Sequence, residues 1–477
     1  MYTNFKLIRI LLLSLTVALL ILPIRGTGKK ETTINIENQT GESLNDIDLF
    51  EEYAYEYFLK GEYDKAVDYY KKLLKIQLKI FGTEDPDVAD SYNNLGCAYN
   101  EKGEYDKSIE YQTKSLNIRL KILGDKHPDV ISLYNGIGNA YNSKGDYDKA
   151  IEYYNKSLYI QFRTLGTEHL DVAALYNGIG SAYDSKNEYD TAIEYYTKSL
   201  NILHKALGSK HSDVVYLYNN LGSTYKSKGE YDTAIEYYNK SLDIQLITLG
   251  IEHPDVANTY NALGNSYCSK GEYDKSIEYY EKSLKIRFKT LGVEHQDVAA
   301  LYFNLGIAYY SQDAYDTAIE FYKKSLHIQL KNSGNDHTDI ANIYNNLGAA
   351  YHSKNEFDTA IECFKKSLNI QLKILNSEHP DVATLYKNIR LAYDSKGETG
   401  KAIEYQEKLL NIQIKTLGVE HPDVGDSYFC MSQLYSKIKE KAKALQYAQK
   451  AYSIYHKVFG DDHSLTMNAK DQIAGLK

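Results

Sequence analysis

Tryptophan is absent from this 477-residue chain, methionine occurs 3 times, cysteine 4 times and proline 6 times. The four cysteines, Cys97, Cys268, Cys363 and Cys430, are too few and too scattered for a disulfide framework or a zinc site. They read as small buried or half-buried thiols. Basic residues are not in excess: 55 Lys and Arg stand against 64 Asp and Glu, a net charge of −9. That balance argues against nucleic acid as a partner, because phosphate binding needs clustered Lys and Arg. No phosphate-cradling glycine loop is present, since each Lys-Gly pair follows a helical pattern and lacks P-loop surroundings.

Long apolar runs are also missing, with one exception. Lys6 and Arg9 precede an apolar stretch from Ile10 to Ile24. It falls short of the roughly 20 residues of a membrane span and fits the core of an export signal. Gly26 and Gly28 supply small residues for cleavage after Gly28. Residues 1–28 therefore read as a signal peptide, or as an uncleaved anchor whose membrane association would run through residues 8–24 only. Export or secretion is the expectation, with a membrane-anchored form and a cytoplasmic protein as alternatives. Residues 29–46 are polar and read as a linker.

What the chain has in excess is tyrosine, counted at 48, and that bias points to one short pattern copied many times. Gly96, Gly138, Gly180, Gly222, Gly264, Gly306 and Gly348 follow one another at steps of 42 residues. The same step separates Tyr92, Tyr134 and Tyr176, and it carries His127 through His169, His211, His253, His295, His337, His379 and His421 to His463. A fixed period between about 20 and 50 residues is the signature of a solenoid. Each unit reads as two helices. Tyr134, Ile137 and Tyr141 recur at helical spacing and end at Lys144-Gly145. A second helix from near Asp146 presents Tyr147, Ala150, Ile151, Tyr154, Leu158 and Phe162 on one face. Gly138 and Ala150 are small enough to let the two backbones approach, with Tyr141 expected to fill the space beside them.

The order Tyr134, Ile137, Gly138, Tyr141, Ala150, Tyr154 resembles the tetratricopeptide repeat. That repeat has about 34 residues, and this one is longer. With its His-Pro-Asp-Val linker it looks like the repeats of kinesin light chains and nephrocystin-like proteins. The resemblance implies an all-α, right-handed superhelical solenoid. It would hold ten 42-residue hairpins over residues 47–466 and a capping helix over 467–477. The heptad coiled coil by which kinesin light chains dock on the motor has no counterpart here.

No residue pattern calls for catalysis, a cofactor or a metal. The repeated histidines fall where a first helix begins. His127 is expected at the N-cap, its ring accepting a backbone N–H. Copies one repeat apart cannot converge on one ion. The first helix of this repeat class lines a concave groove, and there the sequence is informative. The slot after the repeat tyrosine holds Asn93, Asn135, Asn177, Asn219, Asn261, Phe303, Asn345 and Lys387. The next slot holds Asn94, Asn220, Asn304, Asn346 and Asn388. Asparagine has both donors and an acceptor, so a row of them suits a peptide backbone whatever its side chains. Phe303, Ile307 and Tyr310 form an apolar stripe expected to point into the groove among Asn261, Asn265, Asn345 and His352. Lys387 and Arg390 make a basic spot suited to a partner's carboxylate.

The expected function is a non-enzymatic scaffold for a partner protein or extended peptide. A self-associating structural repeat protein and a cytosolic kinesin-light-chain-like cargo adaptor are the alternatives. Amino-terminal sequencing of the native protein is expected to read a start between Thr27 and Lys29 in a secreted or lumenal fraction. An intact Met1 in a membrane pellet would instead make it an anchored scaffold, and an intact Met1 in soluble cytosol an adaptor.

Overall fold

The repeats begin at a cap. In the computed structural model, which describes residues 44–477 apart from Asn335, the backbone at His127 is extended (φ −73°, ψ 143°). The His127 Nδ1 accepts the N–H of Asp129 at 3.2 Å. One of the donors that every helix start leaves orphaned is thereby satisfied. The same bond forms at His169, His211, His253, His295, His337, His379, His421 and His463, and Asp85 makes it for the first such helix. Pro86, Pro128, Pro254, Pro380 and Pro422 take the first helical position, where a missing N–H loses nothing. Several first helices stop at a glycine in the left-handed region, as at Gly145 with φ 89°. The proposed leader over 1–28 and most of the 29–46 linker lie outside the described residues.

The chain divides into two compact units between Thr248 and Leu249. In the first, hairpins pair α1 (Leu44–Leu59) with α2 (Tyr63–Ile80), α3 (Pro86–Glu101) with α4 (Tyr105–Leu123), and α5 (Pro128–Lys144) with α6 (Tyr147–Thr164). They continue with α7 (Leu170–Ser185) and α8 (Tyr189–Leu207), then α9 (Ser212–Lys228) and α10 (Tyr231–Thr248). The second unit pairs α11 (Pro254–Lys270) with α12 (Tyr273–Leu291), α13 (Gln296–Ser311) with α14 (Tyr315–Ser333), and α15 (Thr338–Ser353) with α16 (Phe357–Ile374). It ends with α17 (Pro380–Lys396) and α18 (Thr399–Leu417), α19 (Pro422–Lys437) and α20 (Lys441–Phe459), and the single α21 (Ser464–Leu476). There is no strand among the described residues. First helices also touch across repeats, α3 on α5 on α7 in one unit and α11 on α13 on α15 on α17 in the other. They form a continuous wall within each unit.

From the hairpin of Gly138 to that of Gly348 the core is a ring laid on a glycine. A Cβ added to Gly138 would stand 2.7 Å from Cε1 of Tyr154, which is 1% exposed. The contact recurs between Gly180 and Tyr196, Gly264 and Tyr280, Gly306 and Tyr322, and Gly348 and Phe364. Spacing alone suggests Tyr141 for this place, and the structure corrects that. Tyr141 stands on the same helix as Gly138 and cannot cover its own backbone. It stacks instead on Tyr153 with centroids 5.5 Å apart, while Tyr134 meets the same ring at 6.1 Å. The Lys156 ammonium lies 4.5 Å over Tyr153. Such three-ring clusters recur along the chain and account for the tyrosine excess. In two hairpins the buried ring also bonds the side chain that follows the glycine. The Tyr154 hydroxyl donates to Asn139 Oδ1 at 2.7 Å and Tyr280 to Asn265 Oδ1 at 2.8 Å. Where that slot holds the apolar Ala349, the ring is Phe364, which has no hydroxyl to satisfy.

Neighbouring repeats are clipped at the surface by Lys144 to Asp106 at 2.5 Å, Lys186 to Asp148 at 2.8 Å and Lys354 to Asp316 at 2.6 Å. Their aspartates are 81–85% exposed, so each pair contributes little to stability. The series stops at the last hairpin, where Gly400 and Ile438 stand in the two slots. The chain closes on α21, which buries Thr466, Ala469 and Leu476 and leaves Asn468, Lys470 and Asp471 exposed, as a terminal cap requires. It begins at Ser464 rather than 467 because His463 caps it.

Gly306→Ala is expected to destabilise the second unit by about 1–3 kcal/mol, the usual range for overpacking, because its Cβ would lie 2.5 Å from the Tyr322 ring. Gly400→Ala, with nothing within 4 Å, is expected to be neutral or slightly stabilising. Urea denaturation of both variants checks the contrast; equal effects would contradict it.

Candidate functional site

The asparagine row lies on the first-helix wall, and the structure brings part of it together as rungs. Asn220 Nδ2 donates to Asn177 Oδ1 at 3.0 Å, Asn304 to Asn261 at 3.2 Å and Asn388 to Asn345 at 2.9 Å. Each rung joins the first slot of one repeat to the second slot of the next. Asn93 and Asn135 have no such rung, since Gly136 and Gly178 occupy the facing slots. The Asn219 Oδ1 is buried without a hydrogen-bond partner. Asn346, whose preceding slot is Phe303, turns back and donates to the Asn342 carbonyl of its own helix at 2.9 Å. All the first-slot asparagines are half-buried, so one side of each carboxamide stays reachable.

Phe303, Ile307 and Tyr310 share one face of α13 and are each half-buried. Part of that surface is committed to the fold. Phe303 leans on Tyr322 at 5.7 Å, and Tyr310 on Tyr315 at 5.5 Å. The Tyr310 hydroxyl shares a 3.2 Å hydrogen bond with Ser353. The polar residues expected around the stripe are engaged as well: Asn261 with Asn304, Asn265 with Tyr280, and His352 with Ser395 at 3.1 Å. Lys387 is exposed, and neither it nor Arg390 makes an ion pair among the described residues. The Arg390 Nε is buried without an acceptor. Burial pushes the Cys430 thiol up from its ordinary range, while Arg390 beside it pulls the other way and Lys387 adds to that pull.

A second column escaped the sequence reading. Seven residues on from each ladder position, and so on the same helical face, stand Asn100, Asn142, Asp184, Lys226, Cys268, Tyr310, His352 and Asp394. The i+7 spacing was the signal that could have found them. In the second unit Tyr310 is held by Ser353, His352 by Ser395, and Asp394 by Lys437 at 2.7 Å. In the first unit Asn100 Oδ1, Asn142 Oδ1 and Asp184 Oδ1 are buried with no partner. Burial holds the Asp184 carboxyl above the usual aspartate range, and the Thr224 hydroxyl offsets part of that. Among the described residues no group of three His, Cys, Asp or Glu could hold a metal ion, and no helix is long and apolar enough to cross a membrane.

Antiparallel helix pairs repeating at a fixed step define a helical-repeat scaffold. The chain belongs to the tetratricopeptide repeat family: the family's model matches residues 48–121, 98–160, 129–205, 171–247, 213–287, 255–331, 339–415 and 391–457. Compared with curated proteins, the chain matches none. Among solved structures it is similar to the apo quorum sensor NprR from B. thuringiensis, at 14% identity and a TM-score of 0.53 over 77% of this chain and 98% of that one. That likeness is one of fold. A set of nearly identical TPR-like repeats assigned to a kinesin light chain of Podosopora anserina is 25% identical, with a TM-score of 0.40 over 44% of this chain and 99% of that one. BtubC (BKLC) from P. vanneervenii is 21% identical, with a TM-score of 0.41 over 51% and 92%. Family membership supports a protein-interaction scaffold, and repeats of this family are typically non-catalytic.

Asp184→Asn is expected to stabilise the first unit at neutral pH, since Asn occupies the matching place in the two preceding repeats. The sign follows from the raised carboxyl: the fold favours its protonated form, so the charged form opposes folding at high pH. The gain should therefore fade as the pH falls toward and below the ordinary value of 3.8, where the wild-type residue is protonated in both states. Urea titrations at several pH values would show it; a gain independent of pH would contradict the assignment.

Proposed function

We propose that this chain is a non-enzymatic scaffold whose first-helix wall holds an extended segment of a partner protein. The observation that carries this reading is the set of asparagine rungs. A rung uses the oxygen of one carboxamide and the nitrogen of the other. It leaves Asn177 a free donor group and Asn220 a free acceptor, held at fixed spacing. A peptide unit offers one donor and one acceptor, so preordered carboxamides suit a backbone without reading its sequence. Side-chain selectivity then falls to the departures from the row. The exposed edges of Phe303, Ile307 and Tyr310 suit an apolar side chain. Lys387 and Arg390, which make no ion pair among the described residues, suit a carboxylate. The partner is a protein, and neither a nucleic acid nor a cofactor enters the reading.

Panning a phage-displayed random dodecapeptide library on the full chain tests it. Enriched peptides are expected to bind wild type and to lose about tenfold or more on Phe303→Ala/Tyr310→Ala, with helical content unchanged by circular dichroism. Peptides that bind wild type and variant equally would sink the apolar patch, and an unenriched library would sink the groove.

A further inference from the structure

Most hairpins close the end opposite their turn with one ion pair. A lysine near the end of the second helix reaches the acidic residue in the loop before the first helix, as in Lys205 to Glu168 at 2.6 Å and Lys373 to Asp336 at 2.8 Å. Lys121 with Glu84, Lys289 with Glu252, Lys331 with Glu294, Lys415 with Glu378 and Lys457 with Glu420 repeat it. Both members of each pair lie in solvent, so the pair adds little to stability and the fold does not depend on it.

Two hairpins of the first unit depart from this pattern, and in both the loop acid is replaced by lysine. In the hairpin of α9 and α10 the loop holds Lys210 and the helix holds Ile247, so one cation is left. In the hairpin of α5 and α6 the loop holds Lys126 and the helix keeps a cation, Arg163. Two positive charges stand where the other hairpins set opposite charges in contact, and like charges so placed repel. Both residues are exposed, and neither makes an ion pair among the described residues. Asp125, next to Lys126 in the sequence, bridges to neither. Arg163 turns back on its own helix instead. Its Nη1 donates to the Tyr159 hydroxyl at 3.0 Å, and the guanidinium carbon lies 5.6 Å from the ring centre. Tyr159 is 63% exposed, at a place held by Asn117 and Asn201 in the neighbouring hairpins. The ring thus steadies the guanidinium and leaves its other N–H groups in solvent. Tyrosine and arginine are also the residue types that most often anchor a protein interface.

We infer that the open end of the α5–α6 hairpin is a second contact surface, which receives an acidic side chain of a partner protein between Lys126 and Arg163, beside the Tyr159 ring. A carboxylate restores the charge that the loop slot holds in the other hairpins. It also offers two oxygens to a guanidinium whose N–H groups are arranged as a fork. The chain as a whole carries a charge of −9 and repels an acidic partner, so a local cation pair selects where such a partner can land. The surface is formed by the end of α6 and the loop before α5, and the inference does not depend on the first-helix wall holding a peptide.

The test uses fluorescein-labelled (Glu-Gly)4 and (Gln-Gly)4 peptides in anisotropy titrations on the full chain at low salt. (Glu-Gly)4 is expected to bind wild type more tightly than (Gln-Gly)4 and to lose about fivefold or more on Lys126→Glu. That variant gives Arg163 the ion pair its counterparts have, so it is expected to keep its helical content. Lys285→Glu makes the same charge change at an exposed lysine of the second unit and should leave binding unchanged. Carbodiimide coupling of bound (Glu-Gly)4, mapped by mass spectrometry, should mark Lys126. Equal losses on the two variants overturn the inference, by reducing the effect to net charge. So does coupling spread over the paired lysines, or a failure of (Glu-Gly)4 to bind wild type. If (Glu-Gly)4 weakens on Phe303→Ala/Tyr310→Ala and not on Lys126→Glu, the peptide-holding wall stands and this surface falls.

Discussion

The repeat rests on a tyrosine ring placed where a side chain would otherwise be. Gly138 gives up its Cβ so that Tyr154 can lie against the first helix of its own hairpin, and the pattern recurs down the chain. This contact fixes the distance between the two helices, and through it the angle at which the next hairpin must pack. In some hairpins a polar consequence follows from the buried phenol: Asn139 and Asn265 accept from its hydroxyl, and at Phe364 the hydroxyl is absent. Core and polar network are thus one arrangement rather than two.

With the backbone held in this way, variation concentrates where the hairpin has no use for it. The linker histidines cap helices, the exposed Lys–Asp clips add little energy, and the ring clusters stack at the rim. The first-helix face changes chemistry along the chain. It is asparagine with unmatched acceptors in the first unit. In the second it turns to Phe303 and Tyr310, then to Lys387 and Arg390. A face that varies on a largely repeated packing is what the proposed partner-binding wall would require.

Much of this was legible in the linear pattern, and for a physical reason. A solenoid contacts only its neighbours, so local periodicity carries nearly the whole topology. The step of the glycines, the His-Pro-Asp starts and the Lys-Gly stops gave helices whose limits agree with the structure to within a few residues. The histidine caps were legible too, because capping is a matter of adjacent residues. The identity of the ring on the glycine was not. Tyr141 and Tyr154 are both aromatic and both near Gly138, and only the facing direction of the second helix separates them.

The sequence by itself determined the all-helical hairpin class, the register of the repeats, the capping and the residues lining the first-helix face, since each depends on spacing within a few turns of chain. Tertiary structure decided which members of that face are already engaged. Whether Asn177 is bonded to Asn220, whether Tyr310 reaches Ser353, and whether Asp394 has a counter-charge depend on side chains some forty residues apart meeting across a repeat interface. Periodicity places two such residues side by side, but their hydrogen bonds are set by distances of a few tenths of an ångström, which the spacing of letters does not encode.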